Sequence, residues 1–200
     1  MNIILKKKIK QKGYVLILAS RSKRRQKLLK ELGIPFQVKI AKVKEHFQLK
    51  NIKKELLHNA LLKAKYVSTP KKAIIIAGDT VIVYNNRVFG KPKNRSQAER
   101  FLATFSGKTH KVLTGLVIYN TVSKKTEKAV VTTKVKFKVL TQQSITTYLN
   151  CGEYKDKAGA YGIQAKGAKL VEKITGDYYN VVGLPIKKLK ELLIKVSNKL

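Results

Sequence analysis

The longest apolar runs of this sequence lie at 14–19 and 73–77, and their lengths limit what the chain can form. Each run is far too short to cross a membrane, which needs about 20 apolar residues. Each has instead the length of a buried strand, with aliphatic side chains on both faces. Amphipathic helical patterns follow at 23–32 and 52–67. This alternation predicts an α/β fold with a mixed sheet.

The rest of the chain continues the same mixture of strands and helices. Further strands are predicted at 36–43, 81–84, 87–89, 111–120 and 127–140, and further helices at 97–105, 141–151 and 186–196. With 200 residues, of which 44% are hydrophobic, the chain fits one domain at 14–200 behind a basic extension at 1–13. The alternative arrangement is two small lobes that share a sheet around a central cleft.

The net charge of +33 first suggests a nucleic-acid or anionic-membrane partner. The lysines are spread along the whole chain without a block of five, and the tyrosines do not alternate with them as a base-stacking surface requires. A generally lysine-rich surface is therefore the favoured interpretation, and a nucleic-acid-binding protein is the alternative. Weak, salt-sensitive binding of polyanions is expected in either case.

The cysteine content and the first residues indicate the compartment. Cys151 is the only cysteine, which excludes an internal disulfide and any zinc site that needs two thiolates. Three lysines follow residues 1–5, where a signal peptide would continue with apolar residues. We therefore expect a cytoplasmic protein without a membrane partner.

Arginine is clustered although lysine is not. Three of the six arginines, Arg21, Arg24 and Arg25, lie where the first predicted strand passes into the first predicted helix. A helix N-terminus favours anions, and a guanidinium group binds phosphate oxygens in pairs. The cluster indicates either a phosphate-binding site or a solvated basic surface, and the two interpretations remain open.

Asp79 interrupts the most apolar stretch of the chain, IIIAGDTVIV. An ionised carboxylate is costly there unless it is paired, solvated in a cleft or bound to a metal. It is interpreted as a site residue in a turn between two buried strands, and the alternative is an aspartate that caps a tight turn with Gly78. Lys91, in the Gly-Lys-Pro sequence that follows, is a candidate phosphate ligand.

A glycine-rich segment at 156–167 is the third candidate site. Glycines at 159, 162 and 167 would allow the backbone to approach a ligand closely, and Gln164 offers a paired donor and acceptor for a base edge. An ordinary glycine-rich loop is the alternative. The three histidines are too dispersed for a metal motif of the HExxH type, and no phosphate-binding GxxxxGK[ST] loop is present.

Six segments, occurring in order over about residues 14–196, together resemble the Maf family of nucleoside triphosphate pyrophosphatases. They are LASRSKRRQKLLKELGIPF at 18–36, AGDTVIV at 77–83, GKP at 90–92, SGKTHKVLTG at 106–115, DKAGAYGIQ at 156–164 and GDYYNVVGLP at 176–185. The resemblance implies an inosine-triphosphatase-like α/β fold, with a mixed, elongated, twisted sheet flanked by helices. It also implies a homodimer, a divalent cation (Mg²⁺ or Mn²⁺), and hydrolysis of a nucleotide to its monophosphate and pyrophosphate.

The resemblance also implies roles for individual residues. Asp79 matches the proton acceptor and, with Glu45, the acidic positions near the metal. Ser20, Arg25, Lys63 and Lys91 match substrate-pocket positions that bind phosphate. Arg24, Thr80 and Gln164 resemble the branch of the family that acts on dTTP and UTP. The alternative function is a basic nucleic-acid-binding protein or a regulator of cell division, without turnover.

Overall fold

The apolar runs of the sequence form strands of a mixed sheet flanked by helices, so the predicted α/β class is confirmed. The computed structural model describes residues 7–9, 11–43, 45, 47, 49–67, 69 and 72–198. The strands in these residues are β1 (Val15–Leu18), β2 (Gln37–Val38), β3 (Ala73–Tyr84), β4 (Arg87–Phe89), β5 (Thr109–Asn120), β6 (Thr126–Phe137) and β7 (Val171–Thr175).

The helices lie between the strands along the chain. They are α1 (Lys23–Glu31), α2 (Ile52–Tyr66), α3 (Arg95–Phe105), α4 (Gln142–Asn150), α5 (Tyr178–Val182) and α6 (Ile186–Asn198), with 3-10 turns at Leu49–Asn51, Ala158–Ala160 and Ala165–Leu170. The sheet order within the described residues is β2-β1-β3-β5-β6-β7, and β4 pairs with β3. β1 is parallel to β2 and β3, whereas β4 and β7 are antiparallel to their partners.

Several local features of the fold form through signals that act over a few residues. Asn85 and Asn86 adopt φ values of 43° and 53°, as a tight hairpin turn between β3 and β4 requires. Asn94 caps α3, since its side chain accepts a hydrogen bond from the backbone N–H of Gln97. Thr141 caps α4 in the same way, through Ser144.

Two strand predictions were wrong. The strand expected at 36–43 is only Gln37–Val38, because its partner β1 ends at Leu18 and offers no further residues for pairing. The turn expected at Gly78, Asp79 and Thr80 does not exist, since these residues lie within the continuous strand β3. The Asp79 carboxylate is paired by side chains of a helix, so the charge does not force the strand to break.

The predicted N-terminal extension is described only in part. Of the predicted basic extension at 1–13, residues 1–6 and 10 lie outside the described residues. Residues 7–9 and 11 are helical, and Ile9 is buried, so this part of the extension carries a core residue.

Across the ranges that the structure describes, no helix combines the length and the apolar character that a membrane span needs.

The chain divides into two compact units. The first comprises Met1–Asp79, Thr114–Val131 and Gly183–Leu200, and the second comprises Thr80–Leu113 and Thr132–Val182. Strands β3, β5 and β6 therefore contribute residues to both units. In the first unit, α2 packs directly on β5: a Cβ at Gly115 would lie 2.7 Å from the backbone carbonyl carbon of Leu56. This contact brings the backbone of α2 against the sheet.

The second unit has an aromatic core around Phe105. The Phe105 ring centroid lies 4.4 Å from that of His110 and 5.9 Å from that of Phe137. Tyr161 packs edge-on against Phe137, with centroids 4.7 Å apart. His110 is buried, and its Nε2 lies 2.6 Å from the Tyr161 hydroxyl. Burial lowers the pKa of His110 from 6.5 to about 3.

The low pKa of His110 predicts an acid-sensitive contribution to stability. The folded state keeps His110 neutral, whereas the unfolded state protonates it near pH 6.5. This contribution is therefore present above about pH 6.5 and is lost as the pH falls towards 3. We expect the free energy of unfolding to fall by about 2 kcal/mol more in the wild type than in His110→Gln between pH 7 and pH 5. Urea titrations of both proteins at pH 7 and pH 5 measure this difference. Equal losses of unfolding free energy in the wild type and in His110→Gln would contradict the prediction.

Candidate active site

Asp79 lies in the middle of β3 and is 5% exposed. Its Oδ1 accepts a hydrogen bond from Lys63 Nζ at 2.9 Å, and its Oδ2 accepts one from Asn59 Nδ2 at 3.1 Å. Both oxygens of the carboxylate therefore have a donor, one charged and one neutral. This pairing fixes the orientation of the side chain and offsets part of the cost of its burial.

Both donors to Asp79 come from α2. Asn59 and Lys63 are four residues apart, so they lie one turn above each other on one face of the helix. Asn59 is fully buried, and it is not among the site residues predicted from the sequence. The signal that would have found it is an asparagine one helical turn before Lys63, on a helix face whose other buried members are Leu56, Ala60 and Ala64.

Glu45 joins the site through Lys63. Its Oε1 lies 2.6 Å from Lys63 Nζ, and its side chain is 40% exposed, against 12% for Lys63. One ammonium group thus bridges a buried carboxylate and a more exposed one. Burial raises the pKa of Asp79; the Lys63 charge opposes this shift, and the Glu45 charge adds to it. The predicted acidic pair, Asp79 and Glu45, is brought together.

The two carboxylates can be tested as a site for a divalent cation. Among the described residues, which exclude His46, no group of three or more His, Cys, Asp or Glu side chains forms a metal cage. Mg²⁺ is often held by one or two carboxylates together with water and substrate phosphates. The donor set of Glu45 and Asp79 fits a cation that is bound mainly through a nucleotide.

Arg25 is buried and bonded to the backbone on either side of the site. Its Nε donates to the Gly183 carbonyl at 2.7 Å, and its Nη1 donates to the Gly78 carbonyl at 2.9 Å. Nη1 also lies 3.3 Å from Ser20 Oγ, so two of the predicted phosphate residues contact each other. Burial lowers the pKa of Arg25, and the Asp79 charge opposes that shift. Arg25 therefore holds the residue before Asp79 in place.

The three clustered arginines differ in their exposure because they lie at different positions at the start of α1. Ser22 caps this helix by accepting a hydrogen bond from the backbone N–H of Arg25. Arg21 is exposed before the cap, and Arg24 is half-buried in the first turn. Of the three clustered arginines only Arg25 is buried, so the cluster is not simply a solvated basic surface.

The remaining predicted site residues, Thr80, Lys91 and Gln164, belong to the second unit. Thr80 follows Asp79 directly in β3, and Lys91 is exposed just after β4. Gly159 joins the glycine-rich segment to both strands: its N–H donates to the Gly90 carbonyl at 2.8 Å. A Cβ at Gly159 would also lie 2.3 Å from Ile82 Cδ1. The segments that carry these three residues are therefore in contact.

The glycines of the 156–167 segment are required by packing within the protein. A Cβ at Gly167 would lie 1.9 Å from the Gly162 carbonyl oxygen, and a Cβ at Gly162 would lie 2.7 Å from Lys157 Cε. Gly159 has φ +66°, which glycine adopts at little cost. The close backbone approaches observed here are made to the chain itself, and they fix the shape of the loop before Gln164.

Arg25→Lys is predicted to destabilise the protein. Lysine has a single ammonium group in place of the guanidinium fork, so the buried carbonyls of Gly78 and Gly183 cannot both keep their partner. We expect the free energy of unfolding to fall by about 2–4 kcal/mol, measured by urea denaturation. Arg21→Lys is the matched control, and its stability should stay within about 0.5 kcal/mol of the wild type. Equal stability of both variants would contradict the bracing role.

Comparisons with known proteins agree with the motifs. Residues 15–196 match the model of the family described as "Maf-like protein". A dTTP/UTP pyrophosphatase of Alkaliphilus metalliredigens is 46% identical over 183 residues, covering 90% of this chain and 95% of that protein. Proteins of the same name from Dictyoglomus thermophilum and Clostridium botulinum are 42% and 43% identical; each alignment covers 91% of this chain, and 96% and 97% of those proteins.

The resemblance that the six segments predict is thereby confirmed, because the family model and the relatives cover nearly the whole chain. The chain belongs to the Maf family.

Proposed function

We propose that this protein is a nucleoside triphosphate pyrophosphatase that hydrolyses dTTP and UTP to the monophosphate and pyrophosphate. The observation that carries the proposal is the buried carboxylate of Asp79, held between Lys63 and Asn59 in an apolar strand. If the residue had only a structural role, an apolar side chain would fill the position without the desolvation cost of a buried charge. The names of the relatives, which match at 42–46% identity, give the class of reaction and of substrate.

Several basic residues of the chain suit a triphosphate. A nucleoside triphosphate repels hydroxide, so its charge must be neutralised before water can attack the α-phosphorus. Lys63 lies at the carboxylates, Arg24 lies in the first turn of α1, and Lys91 is exposed after β4. Lys63, Lys91, Ser20 and Arg25 are the proposed phosphate-binding residues. Their charge would also stabilise the leaving pyrophosphate.

Asp79 is the proposed proton acceptor for the attacking water. Each carboxylate oxygen can accept more than one hydrogen bond, so the bonds from Lys63 and Asn59 leave acceptor capacity for a water molecule. The same two bonds restrict rotation of the carboxylate, so its remaining acceptor sites keep a fixed direction. The attacking water would thereby be oriented toward the α-phosphorus.

Mg²⁺ or Mn²⁺ is the proposed cofactor, and Glu45 and Asp79 are the residues that would hold it. When bound, the cation would neutralise more of the negative charge of the phosphate oxygens than the lysines do alone. Lys63 bridges the two carboxylates and so holds them close together.

Base preference is proposed to depend on Arg24, Thr80 and Gln164. The amide of Gln164 offers one donor face and one acceptor, which matches the adjacent carbonyl and N–H groups on the edge of uracil or thymine. We also propose that the protein is cytoplasmic and forms a homodimer. The reducing chemistry suited to the lone Cys151 supports the first of these.

A second candidate function follows from the charge of +33. That charge favours binding of nucleic acid with a steep dependence on salt. Regulation of cell division is compatible with either activity. Binding to DNA with no pyrophosphate release from any nucleoside triphosphate would favour the second candidate, and pyrophosphate release from dTTP and UTP at physiological salt would favour the first.

Asp79→Asn is predicted to abolish turnover while the protein stays folded. Asparagine keeps the size of the side chain but cannot accept the proton, so kcat with dTTP should fall by roughly 1,000-fold. The measurement is the release of pyrophosphate and of thymidine monophosphate with Mg²⁺ and with Mn²⁺, alongside circular dichroism. Glu172→Gln, which removes an exposed surface charge, is the control and should retain wild-type turnover. Inorganic phosphate as the first product, or unchanged kcat in Asp79→Asn, would refute the assignment.

Arg24→Ala and Gln164→Ala are predicted to change the preference among nucleotides. Each should lower the ratio of kcat/KM for dTTP to kcat/KM for GTP by roughly tenfold, as expected for one lost hydrogen bond to the base. Gln142→Ala, at an exposed position in α4, is the control. A ratio that stays constant in the variant carrying both substitutions would remove both residues from base recognition.

A further inference from the structure

A buried pair, His110 and Tyr161, lies in the second unit and has no role in the proposed hydrolysis. His110 is 1% exposed and Tyr161 is 5% exposed. They are 51 residues apart in sequence, and His110 Nε2 lies 2.6 Å from the Tyr161 hydroxyl. The pair thus connects β5 to the glycine-rich segment that ends at Gln164.

Packing of the aromatic core does not require this polar pair. His110 Nδ1 has no hydrogen-bond partner among the described residues. A neutral imidazole and a phenol carry two polar protons between them, and their single bond uses one. A phenylalanine at 110 would fill the same place beside Phe105 and Phe137 without an unpartnered nitrogen. The polar pair therefore serves a purpose other than packing.

The segment that the pair anchors has an unfavourable backbone. Asp156, Ala160 and Ala165 have φ values of +58°, +64° and +50°, a region that residues with a Cβ rarely adopt. Such conformations persist only where surrounding contacts hold them. Tyr161 directly follows Ala160 and reaches into the aromatic core, so its bond to His110 is one of these contacts.

The position of Tyr161 also sets the position of Gln164. Tyr161 and Gln164 both have extended backbone angles, and burial alternates between them: Tyr161 and Ile163 are buried, whereas Gly162 and Gln164 are half-buried. Only Gly162 and Ile163 separate Tyr161 from Gln164. Holding the Tyr161 ring in the core therefore restricts where the backbone of Gln164 can lie.

We propose that His110 is a positioning residue for base selection: its bond to Tyr161 holds the strained 156–165 backbone so that Gln164 is presented in one orientation. The inference rests on the proposed function, in which Gln164 reads the base. His110 takes no part in the hydrolysis itself, so its loss should affect the binding of the preferred nucleotide more than the rate of bond cleavage.

The test uses the full chain with Tyr161→Phe, His110→Phe and the double variant. Each single variant should raise KM for dTTP and lower the preference for dTTP over GTP by roughly tenfold, with kcat for dTTP within about threefold of the wild type. The double variant should match the single variants, because all three lack the same bond. His110→Gln, which can restore a hydrogen bond to Tyr161, should recover most of the preference, but not in the Tyr161→Phe background.

Tyr84→Phe is the matched control. Tyr84 packs on Phe105 at the same core, and the substitution removes one hydroxyl while the His110–Tyr161 bond is kept, so nucleotide preference should not change. An unchanged preference in folded Tyr161→Phe would overturn the proposal. So would effects of the two single variants that multiply in the double variant.

A second measurement separates this proposal from the proposed function. If the wild type releases no pyrophosphate from dTTP or UTP, the proposed function fails. Hydrogen exchange of the amides at 158–167 still tests the pair. We expect faster exchange in Tyr161→Phe and His110→Phe than in Tyr84→Phe. Equal exchange in all three variants would show that the bond does not hold the segment.

Discussion

The site depends on how a carboxylate is accommodated within an apolar strand. An uncompensated charge at Asp79 would cost several kcal/mol, yet the strand continues through it without a turn. Lys63 and Asn59 supply the compensation, since each donates to one oxygen of the carboxylate. Because both donors belong to α2, the helix must pack directly on the sheet, and the lack of a side chain at Gly115 makes this approach possible. The packing of one helix thus determines the chemistry of the site.

Arg25 gives the same region a second set of constraints. It binds the carbonyls of Gly78 and Gly183 and contacts Ser20, so three distant parts of the chain meet at one guanidinium group. Its rigid fork allows one side chain to satisfy several acceptors, which lysine cannot do. The scarcity of arginine in a chain with 44 basic residues is therefore informative: the arginine that is buried sits where a lysine would not suffice.

The core of the second unit is organised by a different physical means. No buried charge organises its core; an aromatic cluster does, with His110 kept neutral by burial. Against this cluster the glycine-rich segment folds with three non-glycine residues in the left-handed region. Strain of this kind is stable only when packing and hydrogen bonds restrain it from several sides. The segment between Asp156 and Gln164 is accordingly shaped by its anchors at Gly90, Ile82 and His110.

The sequence by itself determined most helices and strands and the hairpin turn at Asn85 and Asn86. These signals act between residues a few positions apart, so they can be recognised without knowing the fold. Tertiary structure decided that Asp79 lies inside a strand, that β2 stops at Val38, and that Asn59 and His110 find their partners. Those partners are 20 and 51 residues away, and only the packing of helix on sheet, or of loop on core, brings such residues into hydrogen-bonding distance.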